Sequence, residues 1–134
     1  MFSIRGAITV EKDTENDIIS STDELLKKMM KTNAIDIEDI VSIVFSCTTD
    51  LKAAYPAKAA RQIGILNAGL LCLQEMQVNG SMDKCIRVLM HINGEISQKN
   101  VKHIFLREAV KLRPDLKQDF DEKYWIYIGR KWYS

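Results

Sequence analysis

Cys85-Ile86-Arg87-Val88-Leu89-Met90 sets a positive charge into an apolar run, and Leu71-Cys72-Leu73-Gln74-Glu75-Met76 sets a negative charge into another. Both runs read as strands. A charge inside such a run is costly to bury unless it is paired or meets a ligand. One cation and one anion on two apolar strands therefore point to a polar cavity built on a sheet. Arg5, within the strand-like Ile4-Arg5-Gly6-Ala7-Ile8, adds a second cation. The pattern predicts a small enzyme that holds an anionic small molecule between arginines.

The surroundings of these runs define the fold class. Residues 3–11 alternate, with Ile4, Ile8 and Val10 on one face and Arg5, Ala7, Thr9 and Glu11 on the other, as in a half-buried strand. Thr14 begins a helix, with Asp17 three residues on as a capping-box variant. Ile18, Thr22, Leu25, Leu26, Met29 and Met30 form its apolar stripe, and it should fray near residues 31–33. Ile40 to Cys47 reads as a buried strand that ends in the small polar run Ser46-Cys47-Thr48-Thr49-Asp50. A second helix starts at Pro56 and stops at Gly64. Strands are expected over Leu70–Met76, from Asp83-Lys84 through Ile92, and over Val101–Leu106, with turns at Asn79-Gly80 and Asn93-Gly94. Strand, helix, strand, helix and then mostly strands imply an α/β (α+β) fold. It has a mixed β-sheet with helices packed on one face and forms a single domain over residues 1–134.

Composition excludes several functions. The chain has 134 residues, with 19 basic and 18 acidic side chains and a net charge of +1. There is no bulk charge to attract nucleic acid. No run approaches the ~20 apolar residues of a membrane span, and no signal peptide is expected at Met1-Phe2-Ser3-Ile4-Arg5-Gly6. Cys47, Cys72 and Cys85 lack metal-ligand or redox spacing. They read as free thiols in a reducing compartment, so a cytoplasmic location is expected. His91 and His103 belong to no zinc-type motif.

Familiar catalytic machinery is missing too. There is no glycine-rich phosphate loop, nucleophile elbow or evident carboxylate pair. A cysteine nucleophile at 72 or 85 is open, although buried thiols are usually inert. Chemistry by fixed charges suits the residues better than proton transfer. Lys58 and Arg61 share a face of the second helix. Cys72 and Glu75 are three apart, so a regular strand puts them on opposite faces. Only a bulge or turn between them would let them share a pocket.

The ordered set of segments resembles the monofunctional chorismate mutases of the AroH type, a small trimeric class. It comprises Ile4-Arg5-Gly6-Ala7, Val10-Glu11 with Asp13-Thr14, Tyr55-Pro56-Ala57-Lys58-Ala59 with Arg61, Cys72 with Gln74-Glu75-Met76, Lys84-Cys85-Ile86-Arg87-Val88, and Leu112-Arg113-Pro114-Asp115-Leu116. The resemblance covers about residues 3–116. It implies conversion of chorismate to prephenate by a Claisen rearrangement, in aromatic amino-acid biosynthesis, with no metal or cofactor. It also implies a homotrimer, built as a pseudo-α/β-barrel, with active sites at subunit interfaces. By this resemblance Arg87 meets the substrate's ether oxygen, Arg5 binds a carboxylate, and Glu75 and Cys72 contact the ring hydroxyl. Tyr55, Ala57, Lys58 and Arg61 come from the neighbouring subunit, and Arg113 is a cation near the C-terminal segment.

Two departures stand out. Phe105 takes the place of a family tyrosine, so one hydroxyl donor is missing. An aromatic extension over residues 117–134, with Tyr124-Trp125-Ile126-Tyr127 and Trp132-Tyr133, lies beyond the family pattern. It reads as an added strand, an aromatic cover or an interface segment. Two other functions fit the pocket less well. One is a non-catalytic trimer that binds or senses a small acid. The other is an enamine or imine deaminase of similar architecture.

Overall fold

Alternation of apolar and polar residues decides which face of each strand meets the helices. The protein is described here from a computed structural model, over residues 1–112 with the strands Tyr124–Ile128 and Lys131–Tyr133. Phe2–Thr9 forms β1, Ile40–Cys47 β2, Gly69–Gln74 β3, Cys85–Ile92 β4 and His103–Leu106 β5. Tyr124–Ile128 is β6 and Lys131–Tyr133 is β7. Helix α1 spans Glu15–Thr32 and α2 spans Ala57–Ile63. The strands make one sheet in the order β3-β2-β4-β1-β5-β6-β7. β2 and β3 run parallel, as do β1 and β5, while the other neighbours are antiparallel. This is the mixed sheet expected from the sequence, with β4 in its interior between β1 and β2.

Both helices pack on one face. Ile4 and Ile8 of β1, Ile43 and Phe45 of β2, and Ile86 and Met90 of β4 are fully buried there against Ile18, Leu25, Leu26 and Met29 of α1. Burial of such side chains contributes roughly 1.5–3 kcal/mol each. Gly6 lets α1 approach, since a Cβ there would lie 2.4 Å from Met29 Sδ and 3.2 Å from Leu25 Cδ1. The opposite face is mostly open. A smaller cluster of Ala7, Cys85, Phe105 and Ala109 lies there, beneath the 3-10 segment Arg107–Leu112.

The helix ends follow their residues. Thr14 caps α1, its Oγ1 accepting from the Asp17 backbone N–H at 3.1 Å. Asn33 ends it and is buried. Its side-chain amide donates to Met29 O and Lys102 O, and its Oδ1 accepts from Lys102 N, joining α1 to the approach of β5. Pro56 flanks α2 one residue before the first full helical position, and Gly64 closes it at φ 107°. Strand limits differ from expectation near the loops. β3 stops at Gln74, one residue short of Glu75, and β4 starts at Cys85. Lys84 adopts φ 46°, a left-handed conformation that no strand residue holds. Within the C-terminal extension, β6 pairs with β5 and β7 with β6, so the added-strand reading of the extension holds for those residues.

Replacing Gly6 by alanine should destabilise the fold by about 1–3 kcal/mol through overpacking against Met29 and Leu25. Urea unfolding checks this. An unchanged midpoint would mean that α1 does not seat this closely on β1.

Candidate active site

The site is built from two in-register rows on the open face. One row runs Leu71, Val44, Leu89, Arg5 and the next runs Leu73, Ser46, Arg87, Ala7, Phe105. Each row takes one residue from each neighbouring strand, so the side chains stand side by side. Arg5 and Arg87 are diagonal neighbours on β1 and β4. Small residues, Ser46 and Ala7, flank Arg87 on both sides.

Glu75 lies just past β3. Its backbone N–H donates to Cys47 O at 2.8 Å, which carries the β2–β3 pairing one step beyond the strand. Its carboxylate accepts a hydrogen bond from Ser46 Oγ and stands 3.6 Å from Arg87 Nε. The pair is largely shielded, with side-chain exposures of 32% for Arg87 and 20% for Glu75. Arg87 Nε is buried and has no hydrogen-bond partner among the described residues. At 3.6 Å the carboxylate balances its charge without satisfying its N–H.

Arg5 reaches solvent, yet the protein around it partly desolvates its guanidinium. That desolvation, and next the charge of Arg87, lower its pKa, while Glu75 opposes the shift. Arginine stays protonated under such shifts. The Arg5 backbone N–H donates to His103 Nδ1 at 2.8 Å, which assigns the remaining ring proton to Nε2. Burial, and next Arg5, lower the His103 pKa, so the ring stays in the neutral form that can accept this bond.

The second cation set lies elsewhere. A cleft of about 600 Å³ on the helix side of the β3 edge is lined by Tyr55, Lys58, Arg61, Cys47 and Cys72. Lys58 Nζ pairs with Glu15 at 2.9 Å, while Tyr55 and Arg61 are exposed. Ala57 is buried at the start of α2, and its backbone hydrogen bond to the Cys72 thiol counters part of the upward shift that burial imposes on that thiol.

Cys72 and Glu75 do not share a pocket within one chain. The β2–β3 register is unbroken from Ser42 opposite Gly69 to Cys47 opposite Gln74, so no bulge turns Cys72 towards the open face. It pairs with the core residue Phe45, whereas Glu75 reaches Ser46 and Arg87. The larger cleft, about 960 Å³, touches Arg87 on a different side with Met82, Lys84, Arg107, Lys111 and Leu112, and neither Arg5 nor Glu75 lines it. Arg113 lies outside the described residues. Phe105 is buried among Ala7, Cys85 and Ala109. Ser46 and His103 escaped sequence reading as site residues. The small polar run at the end of β2 was the available signal for Ser46; a lone histidine opening the short strand β5 gave none.

Comparison with known proteins then assigns the family. The family described as chorismate mutase type I matches residues 1–116. Two curated relatives are chorismate mutases AroH. The Thermus thermophilus protein is 50% identical over 114 residues, covering 84% of this chain and 93% of that protein. The Bacillus subtilis (strain 168) protein is 45% identical over 114 residues, covering 84% and 90%. A solved chorismate mutase from Clostridium thermocellum superposes with a TM-score of 0.77 at 44% identity, covering 80% of this chain and 95% of that one. The chain belongs to the type I chorismate mutase family.

Cys47 and Cys85 should resist alkylation in the folded protein. Burial pushes the Cys47 thiol up to about 12, with Cys72 adding to it, and burial pushes Cys85 up to about 11 against the pull of Arg87. A raised thiol pKa means less thiolate, about one part in 10⁴ for Cys47 at pH 8. Mass spectrometry after iodoacetamide treatment should find both unmodified until the chain is denatured. Rapid native labelling would contradict this.

Proposed function

We propose that this single-domain chain is a chorismate mutase that isomerises chorismate to prephenate in aromatic amino-acid biosynthesis, as a homotrimer with sites at its subunit interfaces. The observation that carries this reading is the gathering of Arg5, Arg87 and Glu75 on the open sheet face of a chain in that family. Arg5, Glu75 and Arg87 of one subunit meet Tyr55, Ala57, Lys58 and Arg61 of the next, with Arg113 as a further cation. Cys72, expected beside Glu75 at the ring hydroxyl, lines the cleft of Lys58 and Arg61 instead and so reaches the substrate from the neighbour. The subunits close into a trimeric pseudo-α/β-barrel. Free cysteines suit a cytoplasmic location, and no helix among the described residues is long and apolar enough to cross a membrane.

The chemistry follows from charge. The substrate is a dianion, and several guanidinium and ammonium groups around apolar rows can hold it. As the C–O bond lengthens, negative charge gathers on the ether oxygen. A fixed Arg87 stabilises that charge more than the ground state. Gripping both carboxylates keeps the substrate compact and lowers the cost of bringing the reacting carbons together. Glu75 accepts a hydrogen bond from the ring hydroxyl and holds Arg87 in place. No proton has to move.

Two features support completion by a second subunit. The cation sets occupy separate regions of one chain. Apolar side chains also stay exposed on the open face, with Leu71 55% and Leu73 50% accessible, as surfaces awaiting a partner do. Phe105 favours a second reading. Its buried ring offers no hydroxyl to a carboxylate, which suits a trimer that binds a small acid without turnover.

Turnover separates these readings. Purified protein should form prephenate well above the uncatalysed background, and its failure to do so would favour the sensor. Arg87→Ala should lower the rate about a hundredfold or more with little loss of folding. Arg87→Lys should also be poor, because it loses the rigid fork. Near-normal activity in the alanine variant would refute the assigned role.

Mixing inactive Arg87→Ala subunits with inactive Arg61→Ala subunits should restore activity, since some interfaces would then hold both wild-type contributions. A fully active monomer would defeat the shared site, as would verified mixing without recovery.

A further inference from the structure

The corner where β2 ends and β4 begins is held by side chains to which neither the fold nor the catalytic assignment gives a role. Lys84, the residue before β4, is a non-glycine residue at φ 46°. Such a conformation is costly and persists only where its surroundings over-determine it. Here they do. Both carboxylate oxygens of Asp50 accept from the Lys84 backbone N–H, at 3.1 and 3.0 Å. The Lys84 carbonyl accepts from Val10 N at 2.7 Å. The next amide, Cys85 N–H, donates to Thr48 Oγ1 at 3.0 Å, and Thr48 N–H donates to Cys85 O at 3.1 Å. Thr48 Oγ1 in turn donates to Asp50 Oδ1 at 2.5 Å. Three segments, following β1, following β2 and preceding β4, are therefore tied at one strained residue.

Arg87 stands three residues beyond that corner. Its row neighbour Ser46 stands two residues before Thr48, and Cys47, between them, takes the Glu75 amide. Thr48, Asp50 and Glu75 also line one small recess of about 110 Å³. A shift of the corner would slide β4 against β2 and change both the aim of the Arg87 guanidinium and its 3.6 Å separation from Glu75.

We infer that Thr48 and Asp50 are positioning residues for the rearrangement, clamping the start of β4 so that Arg87 points at the breaking C–O bond. Both act through the backbone at the start of β4, so the role requires no contact of theirs with the substrate. The inference rests on the role proposed for Arg87. A misdirected guanidinium loses stabilisation found only in the transition state, so the loss falls on kcat and leaves KM nearly unchanged.

Steady-state kinetics on the full-length, assembled protein test it. Asp50→Ala and Thr48→Val should lower kcat about tenfold or more, with KM within about threefold of wild type. Thr48→Ser keeps the hydroxyl and should restore kcat. Asp50→Asn keeps one acceptor oxygen and should fall between wild type and Asp50→Ala. It also serves where the alanine variant fails to fold. Combined with Arg87→Ala, neither clamp substitution should lower kcat further, because the group it aims is gone. A merely structural role would still subtract. Wild-type kcat in folded Asp50→Asn and Thr48→Val overturns the inference, and so does a loss confined to KM or one that persists beside Arg87→Ala. If Arg87→Ala itself keeps normal turnover, the catalytic assignment falls. If Arg87→Ala is dead while the clamp variants are normal, the clamp alone falls.

Discussion

A guanidinium in the interior of a sheet constrains everything around it. Arg87 sits on β4, which has a hydrogen-bonded neighbour on each side, so its charge has to be answered across the face. Only Ser46 and Ala7 flank it in its row, and their small size leaves room above the sheet. Glu75 comes from beyond the end of β3 and reaches over Ser46. Coulomb attraction at 3.6 Å is roughly 4–5 kcal/mol at an effective dielectric of about 20. Desolvating two charges costs a comparable several kcal/mol. The pair therefore adds little to net stability, and an apolar pair would pack here at least as well. What it supplies is a fixed cation with an unsatisfied N–H.

That constraint separates the two faces of the sheet by task. The helix face is dry and carries the stabilising burial, with Ile4, Ile8, Phe45, Ile86 and Met90 beneath α1. The open face carries charge between apolar rows. Leu71 and Leu73 would be poor choices for a surface that stays wet. Arg5 and Arg87 repel each other there, and the single Glu75 carboxylate has two cations to answer. The proposed assembly resolves both problems, since a neighbouring subunit covers the leucines and a dianionic substrate joins the cations.

The fold was legible because strand and helix periods differ and few residues broke them. The α1 stripe, its Thr14 cap and the limits of β2 could be read directly. Faces were legible too: Arg5 opposite the isoleucines follows from a period of two. What could not be read was how strands end. Glu75 and Lys84 look like strand residues by composition, yet the first lies past β3 and the second is left-handed. Those endings depend on partners far away in sequence, Cys47 for one and Asp50 for the other. The same distance hid Ser46 and His103, whose partners Glu75 and Arg5 lie 29 and 98 residues away. Parity did foresee that Cys72 and Glu75 would part unless a bulge intervened, and the unbroken β2–β3 register contains none.

Backbone strain among the described residues gathers beside Arg87. Of the three described non-glycine residues with positive φ, Ala34, Lys84 and Arg107, two line the 960 Å³ cleft that also contains Arg87. Each is tied down by a different means. Lys84 is held through its amide by a carboxylate from another loop. Arg107 holds itself, donating to Thr9 O at 2.9 Å, Ser21 Oγ at 3.0 Å and Glu24 Oε2 at 2.8 Å. In both cases the polar contacts come from elements rooted in the dry helix face or the central strands. The rigid part of the molecule thus fixes the backbone beside the charged part, and holds the β4 guanidinium at its place beside Glu75.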